Sequence, residues 1–425
     1  MVNSTPTASS AWRPDRAVDG QGVASTDATT AIIFTVNMMA MYTRLLGLPE
    51  RSFFLFGPRG TGKTTWLRQQ LGAARWYDLL LEREHLRLLR DLDVFHQEVE
   101  ALESGSWVVI DEVQRMPALL DEVQDIISRR GKQIRFALTG SSARKLKRGQ
   151  ANLLAARVIN RRFFPLTASE MGDEFSVDEV LQFGTLPAVA SETEARAKVD
   201  LLDAYVENYI GQEIRAEAAA KRLDSFTRFM VIAALANAQV TNVAGIARDA
   251  AVARPTVNGY FDILVDTLIG TWLPAWRPRA KVKEIAHPKF YFFDSGVARA
   301  MANRLREPLE SSEKGHLLET YILHELRARM NQAGSGGEFG YWRTPSGTEV
   351  DFVWTRGKRS VGIEVKSSTR WKPEYSRPLA ELLGEDALSS AFGVYLGQHE
   401  ILDRGVRVLP IAAFLQALEA GDVIG

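Results

Sequence analysis

Hydrophobic positions along the chain change their period several times, and each change predicts a different kind of element. Residues 1–37 are rich in Ser, Thr, Ala, Asp and Gly and have no periodicity, so a disordered N-terminal tail is expected there. From 38 to 166, short apolar runs alternate with amphipathic stretches. Phe53–Phe56, Arg75–Leu79, Trp107–Ile110, Ile134–Thr139 and Phe163–Leu166 read as strands, and 82–91 as a charged helix. The run Trp107-Val108-Val109-Ile110 has no polar interruption, as a strand covered on both faces should read. Alternating strands and helices predict an α/β domain with a parallel sheet. Residues 167–222 read as mostly helical, a lid or linker, with a break at Phe183-Gly184-Thr185-Leu186-Pro187. Within 223–296, helices at 226–238, 243–250 and 255–266 precede strands near 268–276 and 290–293. A polar link, 297–313, leads to a last unit, 314–425, in which a helix over 314–330 gives way to period-two alternation between Glu349 and Ser368.

A chain of 425 residues with 46% hydrophobic and 24% charged positions has room for several ordinary globular domains. Its formal net charge is zero, so overall charge points neither toward nor away from nucleic acid. Local charge says more. Between Asp125 and Glu170 there is no acidic residue, while Arg129, Arg130, Lys132, Arg135, Arg144, Lys145, Lys147, Arg148, Arg157, Arg161 and Arg162 are all basic. That is either a solvated face or one turned toward phosphate or another subunit. The absence of cysteine excludes disulfides, zinc–thiolate sites and Cys nucleophiles. The apolar run Ala31–Met41 is interrupted by Thr35 and Asn37 and is too short to cross a bilayer, so a cytoplasmic chain with no membrane partner is expected.

Candidate chemistry is concentrated first at GPRGTGKTT: Gly57, Pro58, Arg59, Gly60, Thr61, Gly62, Lys63, Thr64 and Thr65. This is a full P-loop pattern between a strand and a helix. Its glycines let backbone N–H groups turn toward phosphate oxygens, and the following helix adds its positive N-terminal end. Lys63 would reach the β- and γ-phosphates of ATP, and the Thr64 hydroxyl would ligate Mg²⁺. The apolar run ending in Asp111-Glu112 stands where a Walker B element belongs, with Asp111 toward Mg²⁺ and Glu112 as the group polarising the attacking water. Thr139, Gly140, Ser141 or Ser142 would hold a sensor hydroxyl. Arg157, then Arg161 and Arg162, are candidates for a transition-state arginine, often supplied by a neighbouring subunit.

With GPRGTGKTT, VVIDEVQRMP (108–117), LTGSSARKL (138–146), PKFYFFDSG (288–296) and GTEVDFVW (347–354), the chain resembles a family of prokaryotic AAA+-type ATPases whose P-loop domain precedes a C-terminal domain of unknown function. The resemblance spans about Met41 to Leu396 and implies an AAA+-like ATPase core with a helical lid. Ala156 departs from the Gly that often precedes the family arginine. Residues 225–293 resemble a winged helix, with Arg277, Arg279, Lys281, Lys283 and Lys289 in or beside the loop between its strands as candidate DNA contacts.

Near the C-terminus, EVDFVWTRGKRSVGIEVKSS reads as a hairpin. Alternation puts Glu364 and Lys366 on one face and Asp351 on the matching face of the partner strand, opposite Val350, Phe352 and Trp354. Two carboxylates and an amine so placed could hold Mg²⁺ above a phosphodiester, with Glu319 on the preceding helix as a further acid. The element order resembles the α-β-β-β-α-β core of PD-(D/E)xK nucleases, a restriction-endonuclease-like fold, and that resemblance implies Asp351, Glu364 and Lys366 as its motif residues. The expected function is an ATPase coupled to DNA binding and nuclease action. The alternative is a nucleotide-dependent switch that docks a protein or DNA on an inactive nuclease-like module, alone or as a homo-oligomer.

Overall fold

Five parallel strands make the N-terminal sheet in the order β2-β3-β4-β1-β5. The structure, a computed structural model, describes residues 42–141, 154, 157–210, 223–277 and 287–425. The expected N-terminal tail, Ser142, Arg144, Lys145, Lys147, Arg148, Ala156, Arg279, Lys281 and Lys283 lie outside those residues. The elements run β1 (Phe53–Phe56), α1 (Lys63–Gln70), β2 (Arg75–Asp78), α2 (Glu82–Arg90), α3 (Asp93–Glu100), β3 (Ser106–Asp111), α4 (Leu119–Arg130), β4 (Ile134–Gly140) and β5 (Ile159–Arg162).

The central strands β1, β3 and β4 are mostly apolar because they feed two layers. Phe54, Val108, Ile110, Phe136 and Leu138 pack on one side, while Phe53, Leu55, Val109 and Ala137 pack with Trp66, Leu67 and Phe163 on the other. Each Val, Leu, Ile or Phe among them contributes about 1.5–3 kcal/mol by leaving water. Since β4 lies between β1 and β3, the C-terminal ends of β1, β4 and β3 stand in a row along one edge of the sheet.

The fifth strand is Ile159–Arg162, and the apolar run expected as a strand at Phe163–Leu166 follows it. Asn160, Arg161 and Arg162 hide the strand from a hydrophobic pattern, whereas backbone register, Ile159 opposite Phe53 through Arg162 opposite Phe56, defines it. Phe163 leaves the sheet to pack on Trp66, with ring centroids 5.4 Å apart.

The middle of the chain continues with α5 (Ala168–Met171), α6 (Val177–Phe183), α7 (Pro187–Ala190) and α8 (Ala195–Ala204), the last running into a π-helical turn at Tyr205–Ile210. Next come α9 (Leu223–Leu235), α10 (Val243–Asp249), α11 (Arg254–Asp266) and an antiparallel pair, β6 (Gly270–Leu273) and β7 (Lys289–Phe292). The segment 297–313, expected to be a polar link, starts inside α12 (Ser295–Met301), every residue of which is buried.

The C-terminal unit comprises α13 (Ser311–Ala333), β8 (Glu338–Arg343), β9 (Glu349–Arg356), β10 (Arg359–Lys366), α14 (Pro373–Gly384), β11 (Ser390–Tyr395), β12 (Ile401–Asp403), β13 (Val406–Pro410) and α15 (Ile411–Ala420). Its mixed sheet has the order β12-β13-β11-β10-β9-β8. One apolar cluster runs from Leu166 to Ile424, so the middle and C-terminal elements share a core.

The strict alternation expected along β9 is broken. From Gly340 to Trp342 the partner strand advances two residues while β9 advances three, from Val353 to Val350. This bulge moves Val350 into the cluster of Val353 and Leu379, away from Phe352 and Trp354. Asp351 sits at the irregularity.

Candidate functional site

The P-loop wraps the N-terminus of α1. Gly62 has φ +90°, a conformation that a side chain would strain, and a Cβ on Gly57 would lie 2.2 Å from the Phe163 carbonyl oxygen. Lys63 Nζ donates to the carbonyls of Gly57 at 2.8 Å and Pro58 at 3.0 Å. Thr61 Oγ1 donates to the Pro58 carbonyl at 2.8 Å. Thr64 follows Lys63 in the helix and donates its hydroxyl to Asp111 Oδ2 at 2.7 Å.

Asp111 ends β3 and is buried, as is Glu112. Burial raises the Asp111 carboxyl above its usual range, and the nearby charges of Glu112 and Asp78 add to this, while the Thr139 and Thr64 hydroxyls oppose it. Thr139, at the end of β4, donates to Asp111 Oδ1 and accepts from the Glu112 backbone N–H at 2.8 Å. Among the candidate sensor hydroxyls, then, Thr139 touches Asp111 and Ser141 touches Glu112, with Ser141 Oγ donating to Glu112 Oε2 at 3.0 Å. Gln114 Nε2 donates to the same oxygen. Glu112 itself has φ +59°, which re-aims its side chain out of the strand direction.

Sequence reasoning missed Arg44 altogether. It lies before β1 with no motif around it, yet its Nη1 donates to the Thr61 carbonyl at 2.7 Å and its Nη2 to the Phe164 carbonyl at 2.6 Å. Its Nε lies 3.0 Å from Glu170 Oε2, and its guanidinium stacks 4.1 Å from the Phe163 ring centroid. Tyr205 was missed as well; its hydroxyl donates to the Arg59 carbonyl at 3.1 Å.

Arg157 is exposed and precedes β5, whose first residue pairs with the first residue of β1. It therefore stands at the opposite edge of the sheet, roughly 20 Å along the strand axis from its own P-loop at about 3.3 Å per residue. At that distance Arg157 does not touch its own P-loop.

The second candidate site does bring Asp351, Glu364 and Lys366 together. Asp351 Oδ2 accepts from the Val365 backbone N–H at 2.8 Å, and the Asp351 N–H donates to Glu364 Oε2 at 3.3 Å. Lys366 Nζ pairs with Glu364 and lies 3.7 Å from Asp351. Glu319 on α13 joins through Lys289, which was expected as a candidate DNA contact in or beside the loop between the two strands. Lys289 is instead buried in β7, with Nζ 3.3 Å from Glu319 and 3.9 Å from Asp351 and paired with Glu349. Tyr291 donates to Glu319 at 3.0 Å.

Lys289, Glu319, Glu349, Asp351, Glu364 and Lys366 line a cleft of about 920 Å³ that also holds His316, Tyr375 and Arg377. Burial and the Asp351 charge push Glu364 up to about 8, and the same pair of causes pushes Glu319 up to about 7. Burial pulls the Lys289 ammonium down, but Glu319, Asp351 and Glu349 together hold it above its ordinary value.

The two sites differ in their fitness for a metal ion. Thr64 and Asp111 offer a hydroxyl and a carboxylate beside the phosphate cradle, a hard oxygen set that fits Mg²⁺. In the C-terminal cleft the Lys289 and Lys366 ammonium groups already pair with the carboxylates. Among the described residues no group of three His, Cys, Asp or Glu stands ready to share an ion. As arranged, Glu319, Asp351 and Glu364 do not fit a divalent cation.

Three family models match the chain: an AAA domain over residues 49–172, a domain of unknown function (DUF8612) over 174–308 and a second (DUF4143) over 314–414. Together with the parallel sheet, the first defines the N-terminal module as a P-loop nucleotide-binding domain of the AAA type. Uncharacterized proteins Mb2031c of Mycobacterium bovis and Rv2008c of Mycobacterium tuberculosis are each 26% identical over 294 residues, 69% of this chain and 65% of the relative. The chain thus spans less than two thirds of the length of those relatives. A solved structure of the replication initiator DnaA bound to AMPPCP and single-stranded DNA aligns with TM-score 0.25 and 14% identity over 58% of this chain and 89% of that one. Protein VC1899 from Vibrio cholerae aligns with TM-score 0.21 and 10% identity over 88% and 97%. Among the described residues no helix is long and apolar enough to cross a membrane.

Proposed function

We propose that the chain hydrolyses ATP and couples hydrolysis to its middle and C-terminal modules, which act on DNA. The observation that carries the ATPase reading is the hydrogen-bonded row Thr64–Asp111–Thr139–Glu112 behind the P-loop. Mg²⁺, held by Thr64 and Asp111, would neutralise the phosphate charge. Lys63 would exchange the Gly57 and Pro58 carbonyls for phosphate oxygens. Glu112 would orient the attacking water and take its proton, once released from Gln114 and Ser141. Arg157 would act on a neighbouring copy, which makes a homo-oligomer the working form.

Three helices followed by a two-stranded antiparallel pair support reading 223–296 as a winged helix and hence as the DNA-docking module. The order α13-β8-β9-β10-α14-β11 supports a PD-(D/E)xK nuclease-like fold for 314–425. Lys289 favours a second reading of that fold, a docking module whose acidic cleft is closed by an internal cation.

ATPase and DNA-cleavage assays on linear, branched and single-stranded DNA separate the two readings. Lys63→Ala should abolish hydrolysis under both. A DNA product lost in Lys366→Ala supports cleavage, and its absence in every condition leaves the docking reading. ATP turnover that survives Lys63→Ala refutes the ATPase assignment.

A further inference from the structure

Arg162 and Arg327 share a junction of three modules whose lining, among the described residues, includes no carboxylate. A cavity of about 510 Å³ lies between the edge strand β5, the middle strand β6 and the C-terminal helix α13. Arg161, Arg162 and Arg327 line it together with Phe164, Trp272 and Phe339, and none of its lining residues is acidic. A smaller cavity of about 90 Å³, also without an acidic residue, is lined by both Arg162 and Arg327 and reaches the backbone of Gly57 and Pro58. Asn331 fixes the junction by bonding the edge of β5: its Nδ2 donates to the Arg162 carbonyl at 2.7 Å, and its Oδ1 accepts the Arg162 N–H at 3.0 Å.

Arg327 is half-buried, stacked 5.7 Å from the Phe164 ring centroid. Burial, reinforced by the charge of Arg162, pulls its guanidinium down to about 9. Arg162 is exposed and Arg327 half-buried, so two like charges face one open cavity with no acidic residue in its lining. An anion of about the cavity's size would offset that repulsion. Guanidinium forks match phosphate oxygens two at a time, and flat aromatic walls match a base. A few hundred cubic ångströms suits a small ligand.

We propose that this junction is a second ligand site that takes a nucleoside phosphate, with the phosphate on Arg162 and Arg327 and the base against Trp272 and Phe339. Phe163, next to Arg162, donates its N–H to the Phe56 carbonyl at 2.7 Å, so the site adjoins the strand that leads into the P-loop. The nucleoside phosphate can be free or part of a single strand, and the two sources are distinguishable.

Equilibrium dialysis of the full chain with AMP, with inorganic phosphate and with a short oligothymidylate tests the proposal. AMP lacks the β- and γ-phosphates that the P-loop grips, so it reports on the junction. Loss of one charged hydrogen-bond pair to phosphate should weaken binding about tenfold or more in Arg327→Met. Arg327→Lys, which keeps the charge but loses the fork, should recover only part of it. Arg327→Met should also raise the melting temperature of the protein without probe, because it removes an unpaired charge. AMP binding lost in Arg327→Met assigns a free nucleotide, and binding of oligothymidylate alone, lost in the same variant, assigns a strand. Equal binding of every probe by wild type and Arg327→Met, or none by wild type, overturns the proposal. ATP hydrolysis measured in the same preparations keeps that failure separate from failure of the P-loop assignment.

Discussion

Thr139 bridges Asp111 and Glu112: its hydroxyl donates to the Asp111 carboxylate and accepts the Glu112 backbone N–H at 2.8 Å. One side chain thereby fixes both the metal-side carboxylate and the backbone that aims the water-side one. Thr139→Val keeps the shape and removes both bonds. Hydrolysis should fall about 10²-fold, as when a single preorganised donor is lost, with ATP affinity changed only a few-fold. Thr139→Ser should recover most of the rate. Steady-state kinetics with a separate nucleotide-binding titration would show it, and a pure affinity loss would sink the idea.

Arg44 ties the loop to the segment that follows β5, through Thr61, Phe164 and Glu170. Glu170 in turn accepts the N–H of Leu45 at 2.8 Å and that of Thr167 at 3.1 Å. Arg44→Ala would leave a buried carboxylate unpaired, at a cost of about 3–5 kcal/mol. Arg44→Lys should recover little, since one ammonium cannot replace a fork that reaches Thr61, Phe164 and Glu170 together. Urea denaturation of the two variants checks this. Wild-type stability in Arg44→Lys would contradict the role given to the fork.

Lys289 stands where a cation is wanted, among Glu319, Glu349 and Asp351. Lys289→Met should destabilise by about 3–5 kcal/mol because the carboxylates lose their buried partner. If the ammonium takes the place of a metal ion, millimolar Mg²⁺ should restore the melting temperature of the variant and leave wild type unmoved. A variant indifferent to Mg²⁺, Ca²⁺ and Mn²⁺ would mean that the acidic group is purely structural.

What the sequence reveals of these sites follows from how local each signal is. Gly57–Thr65 is legible because its pattern, preceding strand and following helix are contiguous, and Asp111-Glu112 because a strand apolar on both faces ends there. Asp351, Glu364 and Lys366 are legible as a hairpin, but the bulge at Asp351 is set by the Gly340–Trp342 register of a third strand, which periodicity cannot see. Lys289 begins a strand of four buried residues whose other three are aromatic, so only the fold reveals that its ammonium meets acids from α13 and β9. Arg44 and Arg327 act across more than a hundred residues or within one long helix, and no short pattern marks either.

Asp294 joins two segments that the sequence marks only as a break and a motif. Its Oδ1 accepts the Val297 N–H at 2.9 Å, capping α12, and its Oδ2 accepts the Thr185 N–H at 2.7 Å. Burial outweighs these donors and lifts its carboxyl from 3.8 to about 6. The folded protein therefore favours the protonated form. Stability from this group is fully present below about pH 4 and is lost as pH rises through about 6; a shift of roughly two units corresponds to about 3 kcal/mol. Asp294→Asn is neutral at every pH and sacrifices one acceptor, a loss of about 1–3 kcal/mol. Relative to wild type, the variant should be weakest at pH 4 and should close or reverse the gap by pH 7. Urea denaturation of both proteins across that range measures the difference directly, and parallel pH profiles would mean that Asp294 stays ionised throughout.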